Sequence, residues 1–203
     1  MKKIPTLFKR EFHEDGTFTL TDQVTEGMEW VLDGVGLATV KWDGTPVYYN
    51  GVYWFKRFDY KKGRKLPENA IPCQMFADPI TGHWPHWIPV SEKDKSDKHI
   101  VAAIRNYMKY GCAQVAIGTY EAVGPNINGN HNNYKQATLK YHGDRIITDF
   151  PRDFQRMDIW LNHHAIEGVV FWLNGKPMCK IKRSDFGYPW PLIFADGKDG
   201  ETP

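Results

Sequence analysis

The stretch EGVVFWLNGKPMCKIK, Glu167 to Lys182, decides the fold. Aromatic and β-branched residues run up to Asn174-Gly175, and a second short run leaves it. Two extended runs about Asn-Gly predict a β-hairpin with a type I′ turn, because that turn needs positive φ at both central residues. Side chains alternate along a strand, so Lys180 and Lys182 share one face of the return strand. Two like charges on one face repel unless an anion lies between them or water solvates both. Glu167 stands at the mouth of the hairpin.

Working outward, PVYYNGVYWF (Pro46–Phe55) predicts a second hairpin of the same kind at Asn50-Gly51. Further strands are expected at about Gly36–Trp42, Gln114–Ala122 and Ala137–His142. Three helices are expected. TEGMEWVLDG starts one at Thr25 and stops it at Gly34. SDKHIVAAIRNYMKYG puts Ile100, Ile104, Tyr107 and Met108 on one face, with Ser96 as N-cap and Gly111 just past the end. DFPRDFQRMDIWLNHH places Phe154, Met157 and Leu161 at helical spacing, with Pro151 in the first turn. Strands and helices do not alternate regularly, which predicts an α+β fold with mostly antiparallel pairing. The polar segments near 60–98 and 124–136 read as long loops, and long loops are often functional.

A chain of 203 residues with no Pro/Gly/Ser-rich divider and no repeat is expected to form a single domain. The start MKKIPTLFKREF lacks an apolar stretch after Lys2 and Lys3, and no apolar run is long enough to span a bilayer. Cys73, Cys112 and Cys179 are scattered and form no C-x-x-C pair, so neither a disulfide framework nor a zinc ribbon is expected. These features point to the cytoplasm, with no membrane and no obligate protein partner. His83, His86, His163 and His164 lack the H-E-x-x-H pattern of a metal site and read as surface or structural histidines.

The net charge is only +2, but its distribution is uneven. Lys56, Arg57, Lys61, Lys62, Arg64 and Lys65 fall within ten residues, opposed by Asp59 alone. Such a run suits a phosphate-rich partner, or else a solvated hairpin end.

Three further stretches carry chemistry. ATVKWDGTPV (Ala38–Val47) ends a strand at Lys41 and follows it with Asp43 and Gly44. IGTYEAVGPNINGN (Ile117–Asn130) places Glu121 in a strand before a Gly/Asn-rich loop. KPMCKIKRSDFG carries Lys180 and Lys182. Singly, each reads as turn chemistry, a strand-edge charge or a solvated face.

Together and in this order they resemble the covalent nucleotidyltransferase superfamily of polynucleotide ligases and mRNA capping enzymes. Its nucleophile motif matches KWDG at Lys41, Asp43 and Gly44. Its later motifs match EAVG at Glu121, EGVV at Glu167 and KIK at Lys180 and Lys182, and an arginine after the first hairpin matches Arg57. The likeness covers roughly Ala38 to Asp185. Within the superfamily, YEAVGPNING, KIKRSDFG and GYPWP are most similar to phage-type and stand-alone 5′-to-3′ RNA ligases.

The resemblance implies an adenylation domain of antiparallel sheets with flanking helices and an ATP pocket between sheets. Only 21 residues follow Lys182, so no OB-fold domain is expected. It implies ATP as adenylyl donor, a covalent AMP adduct on Lys41, Mg²⁺ or Mn²⁺, and RNA with 5′-phosphate and 3′-hydroxyl ends. Lys180 and Lys182 would aid catalysis. Asp43, Gly44, Arg57, Glu121 and Glu167 would bind the nucleotide, Glu121 at the ribose and Arg57 at sugar or phosphate, with Glu167 also serving the metal. The 56–65 run and the HWPHW and NGNHNNY loops are candidates for holding RNA. DNA nick sealing, capping-type guanylyl transfer and an RNA-binding module on the same fold are the alternatives.

The chemistry needs these residue types. A lysine of ordinary pKa, about 10.4, is protonated at neutral pH and cannot attack phosphorus. Neighbouring cations disfavour its charged form and then stabilise the transferring phosphate.

Overall fold

Eleven strands and two α-helices, joined by short 3₁₀ turns, make up the described part of the chain. The computed structural model describes residues 1–192 apart from Lys62, Arg64, Ile80 and 111–113. The strands are β1 (Phe8–Phe12), β2 (Phe18–Val24), β3 (Leu37–Lys41), β4 (Thr45–Tyr49), β5 (Trp54–Tyr60), β6 (Ile71–Pro72), β7 (Trp84–Pro89), β8 (Gly118–Val123), β9 (Thr138–Tyr141), β10 (Gly168–Leu173) and β11 (Lys176–Lys182). The helices are α1 (Lys98–Tyr110) and α2 (Phe154–His163). Every pairing between named strands is antiparallel, so the fold is mixed α and β with few helices. No described helix is long and apolar enough to cross a membrane.

The chain divides into two compact units. One comprises residues 1–3 and 43–142; the other comprises residues 4–42 and 143–203. The first unit holds a six-stranded sheet in the order β6-β7-β5-β4-β8-β9. Val47, Tyr120, Ala122 and Leu139 lie on one face of it and pack with Ile100, Ala103 and Ile104 of α1. The period-two alternation sends Thr119 and Glu121 to the opposite face.

The second unit holds a three-stranded sheet, β11-β10-β3, and the β1–β2 ribbon. Ala38, Val169, Phe171, Cys179 and Ile181 are buried on one face, with Met157 and Leu161 of α2 in the same cluster. Thr39, Lys41, Val170, Lys180 and Lys182 alternate with these core residues and occupy the other face. The N-terminal segment adds to the outer edge of β11, with Leu7 N–H donating to Lys180 O at 2.7 Å.

The hairpin at Asn174-Gly175 closes as expected, with φ of 50° and 71° at the two central residues. The hairpin at Asn50-Gly51 does not form a two-residue turn. Its loop spans four residues, and the Asn50 side chain accepts the N–H groups of Val52 at 2.9 Å and Tyr53 at 2.7 Å. An Asx-type turn has taken over the Asn-Gly pair.

The expected helix from Thr25 to Gly34 shrinks to a 3₁₀ turn at Glu29–Val31, because Gly27 sits at φ 80°, outside helical space. Asp94, not Ser96, caps the entry to α1: its carboxylate accepts Ser96 N–H at 2.8 Å and starts a 3₁₀ turn that leads into the helix. Met108 lies on the solvent side of α1. The expected end at Gly111 lies outside the described residues. Pro151 precedes α2, which starts after Asp153 accepts Arg156 N–H at 3.0 Å.

The segment 60–98 is no continuous loop. It contains β6 and β7, and β7 pairs along its whole length with β5. Pro85 and Pro89 masked this strand, since proline normally argues against one. Pro85 is tolerated because it takes part on the β6 side as an acceptor only, its O receiving Cys73 N–H at 2.9 Å.

Candidate active site

Gly168 organises the second unit's polar face. It is the register partner of Lys41 on one side and of Lys182 on the other. A Cβ there would lie 2.3 Å from Ile181 O and 2.8 Å from the Lys182 Cα, so no larger residue fits unless β11 moves. Lys180 joins Lys182 on this face one pleat along. Three amines from two strands therefore gather beside one glycine.

Glu167, just before β10, forms an ion pair with Lys41 through Oε2. Both side chains are half-buried. Lys180 has its pKa lowered from 10.5 to about 8, first by burial and then by the charges of Lys41 and Lys182.

The end of β11 is held by groups the sequence reading did not single out. Asp185 accepts the Lys182 backbone N–H at 2.8 Å and forms an ion pair with Arg10. Arg183 is buried and donates to Leu161 O, to Asn162 O at 3.2 Å and to His164 O at 2.9 Å. It thereby satisfies the carbonyls that end α2. The signal was present in KIKRSDFG: a charged Arg and Asp beside a buried strand need partners.

In the first unit, Glu121 of β8 is buried, and each of its two oxygens has a partner. Its Oε1 accepts Gly44 N–H at 3.1 Å, and its Oε2 lies 2.9 Å from His142 Nε2. His142 Nδ1 lies 2.9 Å from the Thr119 hydroxyl. Gly44 owes its identity to close approach, because a Cβ there would lie 2.1 Å from Ala122 O. The expected turn chemistry is thus not the main reason for this glycine.

Asp43 is gripped by the Asn-rich loop: Asn128 Nδ2 donates at 2.5 Å, and His131 Nδ1 lies 2.6 Å away. The NGNHNNY segment therefore positions Asp43. Its asparagines 128, 130 and 133 adopt positive φ, which asparagine tolerates better than most residues. Histidines 131 and 142 were not singled out from sequence, since no spacing ties them to Asp43 or Glu121.

The basic run does not act as one patch. Lys56 lies on the same sheet face as Val47 and is ion-paired with buried Asp97. Arg57 points to the other face and is bound to Asp59 at 2.9 Å. Lys61 and Lys65 are exposed. Lys62 and Arg64 lie outside the described residues. HWPHW is strand from Trp84 onward, not loop, and His86 and Trp87 are buried in it. His86 Nδ1 lies 2.8 Å from Trp84 O, a structural role.

No protein-family model matches the chain, and no curated protein matches it either.

Proposed function

We propose that the protein is an ATP-dependent RNA ligase that joins a 5′-phosphate to a 3′-hydroxyl. The observation that supports this reading most is the gathering of Lys41, Lys180, Lys182 and Glu167 on one face of a small sheet, with Gly168 between the strands. A solvated strand face would spread its lysines toward water. Here Lys180 is buried enough to lower its pKa to about 8, so its charge is held at a cost that a bound phosphate would offset.

In the proposed reaction Lys41 Nζ attacks the α-phosphorus of ATP. Glu167, its hydrogen-bond partner, first takes a proton from the Lys41 ammonium; the free amine then forms the P–N bond, the P–O bond to pyrophosphate breaks, and the second proton leaves with pyrophosphate. The 5′-phosphate of RNA then takes the adenylyl group and frees Lys41. The 3′-hydroxyl finally attacks that activated phosphate, forms the phosphodiester and releases AMP. Lys180 and Lys182 stabilise charge on the transferring phosphorus throughout. Glu121 and Asp43 serve as acceptors for nucleotide hydroxyls, and Arg57 as a donor to sugar or phosphate.

Among the described residues, no group of three or more His, Cys, Asp or Glu side chains is arranged to hold a metal. Mg²⁺ or Mn²⁺ would bind mainly through substrate phosphates and one or two carboxylates. Glu167 would supply the carboxylate, and the ion would neutralise phosphate charge.

Incubation with α-labelled ATP and Mg²⁺ or Mn²⁺ tests the reading. Label that survives denaturation and is released as AMP on adding 5′-phosphorylated RNA supports it. Folded protein that takes no label with either metal overturns it. Labelling by GTP in place of ATP would turn the assignment to a capping-type enzyme.

A further inference from the structure

Helix α1 carries His99, Ala102, Asn106 and Tyr110 at spacings of three and four residues, so they form one stripe along it. The stripe flanks Ile100, Ala103 and Ile104, which pack on the sheet. Against it lie the two ends of the β8–β9 loop, residues 125–126 and 135–137, and between them runs a groove of about 350 Å³. Sites for organic ligands begin at about 300 Å³. The groove is pre-formed. Asn106 Nδ2 donates to Ala137 O at 2.9 Å and ties the helix to the loop. Gly124 packs so closely on Ala137 that a Cβ would lie 2.3 Å from the Ala137 Cα, which fixes the two loop ends to each other. Because α1 covers the sheet face opposite Glu121, the groove is separate from the Glu121–His142 pair.

The lining is chemically one-sided. None of the groove's lining residues is acidic, whereas Lys135, His99 and the amides of Asn126 and Gln136 offer N–H donors. Lys135 has no ion-pair partner among the described residues. Tyr110 is 71% exposed, and Lys109 Nζ lies 4.8 Å from its ring centroid, which brings a second cation to that end. Donors for phosphate beside an exposed ring for a base are what a single strand of nucleic acid requires. An acidic peptide would use the cations but not the ring. Length favours a strand over one nucleotide. His99 and Tyr110 stand roughly 16 Å apart along the helix, at about 1.5 Å per residue. Phosphates of a stacked strand follow one another at about 3.4 Å.

We propose that the α1 groove is a binding site for single-stranded RNA, with a base stacked on Tyr110 and a phosphate at Lys135. The choice of RNA rests on the ligase reading; the groove itself does not.

Fluorescence anisotropy with a labelled single-stranded RNA of about 12 nucleotides, read across a salt series, tests this on the full chain. Tyr110→Ala should weaken binding by about 5- to 150-fold, the usual effect of losing one base–aromatic stack, with the salt slope unchanged. Tyr110→Phe keeps the ring and should bind like wild type. Lys135→Ala should lower the slope of log affinity against log salt by about 0.7, the share of one phosphate contact. Both side chains are exposed, so neither alanine variant should shift the melting temperature or labelling by ATP. Uridine 5′-monophosphate should compete weakly; displacement as effective as that by the unlabelled strand would make this a mononucleotide pocket and overturn the proposal. Equal displacement by an oligoglutamate peptide would mark an acidic protein segment as the occupant and overturn it too. So would wild-type affinity and slope in both Tyr110→Ala and Lys135→Ala, or a folded wild type that binds no RNA. A wild type that binds RNA through these residues but takes no label from ATP would keep the groove and remove the ligase reading.

Discussion

Lys41 and Lys182 are register partners of the same residue, Gly168, one on each side of the central strand of the three-stranded sheet. Their rows align because the residue between them has no side chain. Gly168→Ala would set a Cβ 2.3 Å from Ile181 O, and β11 would have to withdraw. Overpacking of this kind costs about 1–3 kcal/mol. Thermal melts should show that loss, and labelling by ATP should fall further than stability explains. Gly175→Ala serves as the control: nothing lies near its Cβ, but its φ is 71°. It should destabilise by about 1 kcal/mol through backbone strain and leave labelling intact. Wild-type labelling in Gly168→Ala would show that the alignment of the two lysines is irrelevant.

Lys41→Ala separates the chemical steps. It should abolish labelling by ATP and the joining of 5′-phosphorylated RNA. It should still seal RNA supplied with a 5′-adenylyl group, because the last step does not use the amine as nucleophile. Lys182→Ala should keep the nucleophile but slow labelling by about 100- to 1,000-fold, the usual effect of removing one transition-state charge contact. Denaturing gels of labelled protein and of RNA products read both effects. Full-stoichiometry labelling of Lys41→Ala would remove Lys41 from the mechanism.

Lys180 trades stability for charge. Its pKa is about 8 in the folded protein against 10.5 in the unfolded chain. Below pH 8 it is charged in both states, and the folded state bears the whole penalty of burying that charge. Between pH 8 and 10.5 the unfolded chain binds more protons than the folded one, so this contribution to stability rises with pH. Lys180→Met should therefore be more stable than wild type at pH 7, by roughly 2–3 kcal/mol. The gap should shrink as pH rises above 8 and close near 10.5. Denaturant melts at pH 7 and pH 10 measure it. Labelling should be lost at both values, the usual conflict between stability and a working site. A variant less stable than wild type at pH 7 would contradict the assignment of a buried, charged Lys180.

The fold was legible where pattern and packing agree. The alternation in Cys179-Lys180-Ile181-Lys182 announces one apolar and one polar face, and the structure packs them accordingly. The 3.6-residue period of Met157 and Leu161 likewise announced α2. Misreadings came where local chemistry competes with pattern. Pro85 and Pro89 hid β7, and the Asn50 side chain displaced the expected two-residue turn. Of the candidate site, sequence placed Lys180 and Lys182 on one face. It had no means of finding His142 or His131, because their meetings with Glu121 and Asp43 depend on pairings between distant segments. Nor could it tell which face of β5 is covered, and that decides the meaning of Lys56 and Arg57.

That last point yields a prediction about RNA. Lys56 Nζ is ion-paired with Asp97, whose side chain is 1% exposed, while Lys61 and Lys65 stand in solvent. A cation held by a buried carboxylate does not neutralise a phosphate. Lys56→Met should therefore lower stability by about 3 kcal/mol, the effect of leaving a buried charge without its partner. It should leave the salt dependence of RNA binding unchanged. Lys61→Ala with Lys65→Ala should do the reverse. If each contacts one phosphate of a single strand, the slope of log affinity against log salt should fall by about 1.4, at about 0.7 per contact. Melting should barely change, because neither residue is buried. Fluorescence anisotropy with a labelled single-stranded RNA, read across a salt series, separates the two behaviours. A reduced slope in Lys56→Met with normal melting would return Lys56 to the RNA-binding surface and break its assignment to Asp97.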